Sequence, residues 1–171
     1  IDTNGRLVVT SANQSAYHMR RQVSKALGIP LSKVRVIKPR IGGGFGGKNI
    51  AVTEIYASFV TWMTKRPAKL IYTREETFAM TNTRHQMFFD IKIGADKEGN
   101  IKAIDMKALN NTGAYGDNGP SVCSESGHNV LPTYNNVPAI KFDGRTVYTN
   151  LVPGGALRGY GATQGKIGRA H

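Results

Sequence analysis

The sequence predicts an α+β fold in which a mostly antiparallel sheet carries helices on one face. Residues 6–10 form a short β-rich segment after an Asn-Gly turn. Residues 52–63 place apolar side chains at helical spacing. Two further β-rich segments, 85–93 and 101–110, flank a turn-forming cluster, the pattern of an antiparallel hairpin. A mixture of paired strands and separate helices is typical of α+β architecture.

The remaining elements follow from turn and capping signals. Ser15 can cap a helix over residues 16–27, and Gly28 with Pro30 ends it. The helix that begins near Ile50 should bury Met63 and Trp62 against the sheet and end at Arg66-Pro67. Other expected elements are a strand over 34–38, a short buried strand over 68–72, a helical turn over 75–80, an irregular stretch over 112–136 and a strand over 140–149.

Length and composition restrict the class of protein. The chain has 171 residues, 40% of them hydrophobic. We expect one domain, or a fragment of a larger subunit with an α+β core over residues 1–114. Residues 115–171 would add an irregular segment, a strand and a second glycine motif. No apolar run approaches the roughly 18 residues that span a membrane. A single cysteine, Cys123, excludes an internal disulfide, and the histidines at 18, 85, 128 and 171 lack ligand spacing.

The net charge of +12 is concentrated near the start of the chain. Residues 1–50 hold nine Lys or Arg and one acid, Asp2. Such an excess is common in nucleic-acid-binding proteins, in pockets for phosphate-bearing cofactors and on surfaces that dock acidic subunits. No basic run of five residues and no RNA-binding aromatic motif accompanies it.

The most informative segment is a glycine-rich loop between an expected strand and an expected helix. Five glycines occupy six positions from Gly42 to Gly47, and Phe45 is the only side chain among them. Glycine permits positive φ and close approach of the backbone to a ligand. A loop of this kind can direct free N–H groups at an anion or at a flat group.

Two nucleotide-binding templates fit the loop incompletely. Residues 42–48 read G-x-x-x-x-G-K, but Asn49 follows where a P-loop needs Ser or Thr. Gly42, Gly44 and Gly47 read G-x-G-x-x-G, but no acid lies between Glu54 and Glu75 to hold a ribose. Nucleotide binding and a purely structural tight turn remain the alternatives for the loop itself.

A third interpretation covers most of the chain. The segment R-I-G-G-G-F-G-G-K at 40–48 resembles a signature of the molybdenum hydroxylases, in the large, molybdopterin-binding subunit of xanthine dehydrogenases and aldehyde oxidoreductases. The segment G-G-A-L-R-G-Y-G-A-T-Q-G at 154–165 is similar to a second family segment, and S-A-N-Q at 11–14 to a third. Arg66-Pro67, T-R-E-E at 73–76 and Arg84-His85 fall between them in the expected order.

The resemblance implies the fold and chemistry of that family. We expect a molybdopterin-binding-domain-like fold and a molybdopterin cofactor, often present as the cytosine dinucleotide. The family oxidises a purine, another N-heterocycle or an aldehyde, with water as the oxygen source. Its electrons leave through 2Fe–2S clusters and FAD in partner subunits or domains. We therefore expect iron–sulfur and FAD partners, the remainder of the large subunit and a small-molecule substrate, in the cytoplasm, with neither nucleic acid nor membrane.

Site residues carry over only where the motifs match. Gln14, Gly43, Gly44, Phe45, Gly46 and Arg158 match cofactor-binding positions, and Gln14 corresponds to a glutamine whose amide donates to an oxo ligand of molybdenum. Asn49 and Tyr160 match substrate-binding positions. Asn49 stands where purine-oxidising relatives often carry an acid, and Tyr160 where relatives often carry Phe. No direct protein ligand to molybdenum is expected.

The resemblance also implies that the chain is a fragment. The family's large subunit is several times longer, and its general base is a glutamate near the far end, which no residue here matches. We therefore expect no catalytic residue in this chain and no turnover by the chain alone. The alternative function is a basic module whose glycine loop binds phosphate or nucleic acid.

Overall fold

Two units of structure follow one another along the chain. The computed structural model describes residues 1–166; the first unit covers Ile1–Thr81 and the second begins at Asn82. His171, one of the four scattered histidines, lies outside the described residues. None of the helices in residues 1–166 combines the length and the apolar character needed to cross a membrane. The elements of the first unit are β1 (Leu7–Thr10), α1 (Ala16–Leu27), β2 (Val34–Ile37), α2 (Glu54–Thr64) and α3 (Arg74–Met80).

The core of the first unit is a two-stranded parallel sheet covered by helices. Leu7 lies opposite Val34 across the β1–β2 pairing. Both side chains are buried with Val23 of α1, and Ile55 and Trp62 of α2 pack against this cluster. The burial of Trp62 is therefore as predicted, although incomplete.

The ends of α1 are as predicted from its capping residues. The Ser15 side chain accepts from the His18 N–H at 3.5 Å, and Gly28 takes a left-handed conformation with φ 65°. The Gly28 N–H donates back to carbonyls of the last helical turn. These hydrogen bonds pair carbonyl groups that the end of a helix otherwise leaves without a donor.

The predicted buried face of α2 is wrong. The helix begins at Glu54 rather than near Ile50, and Met63 is 65% exposed. Ser58 and Thr61 are the buried residues of α2. The inward side of α2 thus combines Ser58 and Thr61 with Ile55 and Trp62, while Tyr56, Phe59, Val60 and Met63 are exposed. Periodicity identified the helix but could not say which of its faces has a partner in this unit.

The predicted buried strand over residues 68–72 is also wrong. These residues are irregular, and Leu70 and Ile71 are 40% and 71% exposed. The short apolar run finds no strand to pair with in the first unit. The following helix α3 is as expected, and its N-cap is a capping box in which Thr73 and Glu76 each accept from the other's backbone N–H.

The second unit is built on a three-stranded sheet in the order β3–β4–β5. The β3–β4 hairpin turns at Asp96, whose carboxylate accepts from the N–H groups of Glu98 and Asn100. On one face of the sheet, Ile104 and Met106 are buried with Leu131. The elements of this unit are β3 (Gln86–Ala95), β4 (Ile101–Asn111), α4 (Gly119–His128), β5 (Ala139–Val147) and α5 (Ala162–Gly165).

The α+β class is confirmed, but the strand pairing is mixed rather than mostly antiparallel. The β3–β4 pair is antiparallel, whereas β1–β2 and β4–β5 are parallel. Helix α4 packs on β4 and β5, and its chain length provides the crossover that a parallel pair requires. The sequence pattern did not predict the parallel pairing of β5 because it did not predict α4, which provides the crossover.

The stretch over residues 112–136 is not irregular throughout, which corrects the sequence-based expectation. It contains α4, and a 3₁₀ turn over Leu131–Tyr134 follows. The α4 sequence G-P-S-V-C-S-E-S-G-H has low helix propensity. Close packing stabilises it: a Cβ added at Gly119 would overlap Thr112, and one at Gly127 would overlap the Phe142 ring.

Candidate cofactor-binding site

Gln14 and the glycine loop meet in the first unit. The backbone N–H groups of Gly46 and Lys48 donate to the Gln14 side-chain oxygen at 3.0 and 3.1 Å. The Gln14 N–H donates to the Lys48 carbonyl at 2.9 Å. The segment after β1 is thus tied to a loop more than 30 residues away.

These contacts fix the orientation of the Gln14 amide. Its oxygen must face the loop because two N–H donors point at it. The amide NH₂ has no hydrogen-bond partner among residues 1–166. Gln14 therefore presents two donors to a ligand while its oxygen holds the loop in place.

The loop geometry requires glycine at positions 43 and 44. A Cβ on Gly44 would overlap the Gln14 side chain, and one on Gly43 would lie 2.6 Å from the Phe45 ring. The Gly47 N–H donates to the Gly44 carbonyl at 2.9 Å, with positive φ at both Phe45 and Gly46. A tight turn with two left-handed residues results, and the non-glycine Phe45 occupies one of them at an energetic cost.

Phe45 projects from this turn and is 64% exposed. The N–H groups of Gly42, Gly43 and Phe45 have no hydrogen-bond partner in the described part of the chain. Free N–H donors and an aromatic ring therefore lie on one short segment, and the Gln14 amide is hydrogen-bonded to that segment. This donor set suits an anionic group with a flat organic part. Asn49 follows the turn, and its N–H donates to the Gly46 carbonyl at 3.3 Å.

Arg158 and Tyr160 belong to the second unit. The Arg158 guanidinium is exposed, while its carbonyl accepts from Arg84 Nη2 at 2.8 Å. The Tyr160 hydroxyl donates to the Asn118 side-chain oxygen at 3.0 Å. The extra hydroxyl that distinguishes Tyr160 from Phe is therefore satisfied inside this unit.

The glycines of the second motif pack against α4. A Cβ on Gly161 would overlap the Val122 carbonyl, and one on Gly165 would overlap the Ser126 carbonyl. Backbone thus contacts backbone at both positions. In addition, Gly159, Tyr160 and Gly161 all have positive φ. Three such residues in succession hold Tyr160 in a strained turn that side-chain identity alone would not favour.

Sequence reasoning gave no role to the polar residues behind this turn. Arg84 donates to the Gln164 side chain at 3.3 Å as well as to the Arg158 carbonyl. His85 is 3% exposed and packs on Gly154. Burial lowers the pKa of His85, an effect partly opposed by the negative charge of Asp117. Only the Arg84-His85 resemblance pointed to these residues.

Within residues 1–166, no group of three or more His, Cys, Asp or Glu residues could hold a metal ion. Cys123 is buried, and burial raises the pKa of its thiol. A thiol in this environment is a poor ligand and a poor nucleophile.

The family described as the molybdopterin cofactor-binding domain matches residues 1–168. The chain belongs to this family. It is 41% identical over 165 residues to a putative xanthine dehydrogenase molybdenum-binding subunit of Escherichia coli K12, covering 96% of this chain and 22% of that protein. It is 36% identical to a nicotinate dehydrogenase large molybdopterin subunit of Eubacterium barkeri, covering 97% of this chain and 39% of the relative.

Solved structures show the same fold. The aldehyde oxidoreductase from Desulfovibrio desulfuricans ATCC 27774 superposes with a TM-score of 0.90 at 26% identity, covering 96% of this chain and 18% of that one. Quinoline 2-oxidoreductase from Pseudomonas putida 86 gives a TM-score of 0.83 at 28% identity, covering 95% of this chain and 21% of that one. The chain thus spans about a fifth of these larger proteins.

Proposed function

We propose that this chain holds the molybdenum–pterin cofactor of a hydroxylase against Gln14 and the glycine loop. The observation that carries the proposal is the Gln14 amide, whose oxygen is fixed by Gly46 and Lys48 while its NH₂ stays available. Gly44 lets the loop backbone approach the Gln14 side chain closely, and Gly43 leaves room for the Phe45 ring. Phe45 shields the ligand from water, and the free loop N–H groups stabilise its negative charge.

In this proposal Arg158 is a further cofactor-binding residue and Tyr160 a substrate-binding residue, as the family motif at 154–165 implies. The exposed Arg158 guanidinium supplies a positive charge that attracts the anionic cofactor. Tyr160, anchored through Asn118, offers an aromatic face to a planar substrate. Asn49 contacts the substrate through an amide, which can hydrogen-bond but carries no charge.

The activity belongs to the whole protein of which such a domain is a part. It is the oxidation of a purine, another N-heterocycle or an aldehyde, with water as the oxygen source. When bound, the cofactor supplies the redox chemistry and the Lewis acidity of this reaction. The partners are the rest of the large subunit and the 2Fe–2S and FAD components, in the cytoplasm. The chain alone lacks a general base and does not turn over substrate. Chemical analysis of the bound pterin shows whether it is the cytosine dinucleotide.

A pair of glycine substitutions tests the cofactor site. In the large subunit that contains this chain, molybdenum and pterin are measured per polypeptide for the parent, Gly44→Ala and Gly42→Ala. Gly44→Ala should lose the cofactor because its Cβ would displace Gln14. Gly42→Ala should retain it, since nothing lies within 4 Å of an added Cβ. Equal cofactor content in the two variants, or a parent without molybdenum that binds DNA in a salt-dependent way, would contradict the proposal.

A further inference from the structure

An open cleft of about 350 Å³ in the first unit is lined by three arginines. Arg6 precedes β1, Arg20 lies in α1 and Arg35 lies in β2. Neither Gln14 nor the glycine loop lines this cleft. We propose that it is a second anion site, which binds a phosphate group carried by a small molecule and is separate from the cofactor loop.

Two of the arginines are held in place by the chain itself. Arg6 Nε donates to the Asp2 carboxylate at 2.9 Å. Arg20 donates through Nε and Nη2 to the Leu31 carbonyl at 3.0 and 2.6 Å. A guanidinium has five N–H donors, so each of these arginines keeps donors for a ligand. Their fixed positions reduce the entropy that a bound anion would have to overcome.

The third arginine has no internal role. Arg35 is exposed, and its guanidinium makes no hydrogen bond or ion pair with any of residues 1–166. Tyr17 and Ser32 also line the cleft and add hydroxyl groups. Arg21 stands over the Tyr17 ring at 5.9 Å from its centroid, which brings a further cation close to the cleft. A free planar cation beside hydroxyl donors suits an oxyanion that accepts several hydrogen bonds.

The surrounding charge is unbalanced. Residues 1–81 contain thirteen Lys or Arg and four Asp or Glu, a formal net charge of +9 out of the +12 of the chain. No acidic residue lines the cleft, and Asp2, the only acid among residues 1–50, is already paired with Arg6. Arg20 and Arg35 therefore have no acidic counterpart in the cleft, and its net positive potential attracts anions.

The dimensions favour a small ligand over a macromolecule. A volume near 350 Å³ is in the range of small-molecule pockets, which begins at about 300 Å³. Nucleic acid that binds without sequence preference uses a long basic groove with stacking aromatics. Tyr17 is the single aromatic residue that lines this cleft. A phosphate group fits the forked donors of arginine bidentately.

Calorimetric titration with sodium pyrophosphate, at constant ionic strength set by sodium chloride, tests the site. The protein should bind pyrophosphate, and Arg35→Gln should weaken the affinity roughly tenfold or more, because one set of charge-assisted bonds is lost. Arg35→Lys keeps the positive charge but loses the paired N–H donors of the guanidinium, so its affinity for pyrophosphate should lie between those of the parent and Arg35→Gln. Arg66→Gln is the matched control, since Arg66 is exposed and lies outside the cleft. This variant should bind pyrophosphate with the affinity of the parent.

Two results of the titration would overturn the proposal: no binding at millimolar pyrophosphate, or equal affinities of the parent and Arg35→Gln for pyrophosphate. A third would be tighter binding of a polyglutamate peptide or a single-stranded oligonucleotide that pyrophosphate fails to displace. The last would make the cleft a surface for a macromolecule. Circular dichroism verifies that each variant is folded. Gly44→Ala, which alters the cofactor loop, should bind pyrophosphate normally, so failure of this site and failure of the cofactor site are distinguishable.

Discussion

The side-chain oxygen of Gln14 accepts a hydrogen bond from the backbone N–H of Gly46 at 3.0 Å. This single contact joins the end of the first strand segment to the centre of the glycine loop. It also decides which end of the amide is left for a ligand. Two substitutions at Gln14 can therefore separate the support of the loop from the contact with the cofactor.

Gln14→Glu should keep the loop but weaken the cofactor site. A carboxylate still accepts from Gly46 and Lys48, but it has no donor and it repels an anion. We expect an unchanged melting temperature and an affinity for the cofactor that is lower by roughly tenfold or more. Gln14→Ala should also lower the free energy of unfolding by about 1–3 kcal/mol, because two N–H groups lose their acceptor. Thermal melts and molybdenum content measure the two effects. Identical behaviour of the two variants would contradict this division of roles.

Arg158→Ala and Phe45→Ala should affect different steps in the full-length enzyme. Loss of the positive charge at Arg158 should lower kcat/KM by about 10²–10³ with cofactor still bound. Loss of the exposed Phe45 ring should admit water and reduce cofactor occupancy. Turnover per bound molybdenum separates the two outcomes. If Arg158→Ala retains the parent's turnover per molybdenum, the charge of Arg158 has no part in the reaction.

Tyr160→Phe should destabilise the second unit. The Tyr160 hydroxyl donates to Asn118 at 3.0 Å, and its removal leaves that side-chain oxygen without this donor. We expect a loss of about 0.5–1.5 kcal/mol in the free energy of unfolding, measured by urea denaturation. The control is Tyr115→Phe, since Tyr115 is 84% exposed and should tolerate the change. An equal effect of both substitutions would show that the Asn118 contact contributes nothing.

The buried His85 should make stability depend on pH. Burial lowers the pKa of His85 in the folded state, so below the unfolded pKa of about 6.5 the unfolded chain binds more protons. Stability should therefore fall as the pH drops from about 6.5 towards the folded pKa, with a slope of at most about 1.4 kcal/mol per pH unit.

His85→Asn should flatten that slope, even though it costs stability at neutral pH through lost packing. Melting temperatures over the range of about pH 5–7.5 provide the measurement. A slope that survives in His85→Asn would assign the pH dependence to other groups.

The outer face of α2 should cause self-association of the isolated chain. Tyr56, Phe59 and Met63 are 57%, 55% and 65% exposed, and they lie on neighbouring turns of one helix. Exposed apolar clusters of this kind mark contact surfaces. The double substitution Phe59→Ser with Met63→Ser should reduce the associated fraction in sedimentation velocity, while Tyr115→Ser should not. A parent chain that is already a monodisperse monomer would refute the expectation.

Local signals predicted those parts of the fold that local contacts stabilise. The cap of Ser15 on α1, the left-handed Gly28 and the turn at Asp96 each depend on residues within a few positions. The contact between Gln14 and the glycine loop is not local, and only the resemblance named both as cofactor-binding positions. For the same reason the resemblance, rather than composition, identified most of the candidate site.

The wrong predictions share a tertiary cause. The apolar positions of α2 and of residues 68–72 indicated burial, but burial depends on what lies against them, and in the first unit nothing covers Met63 or Ile71. Helix α4 was missed for the opposite reason. Its glycines and serines disfavour a helix locally, while Phe142 and Thr112 fit closely against it. Neither kind of neighbour can be read from a short window of sequence.

The close packing of Gly161 and Gly165 on α4 has a consequence for comparing sequences. The glycines of this motif are needed where two backbones touch, whereas Arg158 and Tyr160 provide the side chains that could contact a ligand. A relative could keep both glycines and lose both side chains, and it would retain the architecture without the chemistry. Pattern searches should therefore weigh these positions separately, because glycine spacing alone would group proteins that share a scaffold but not an activity.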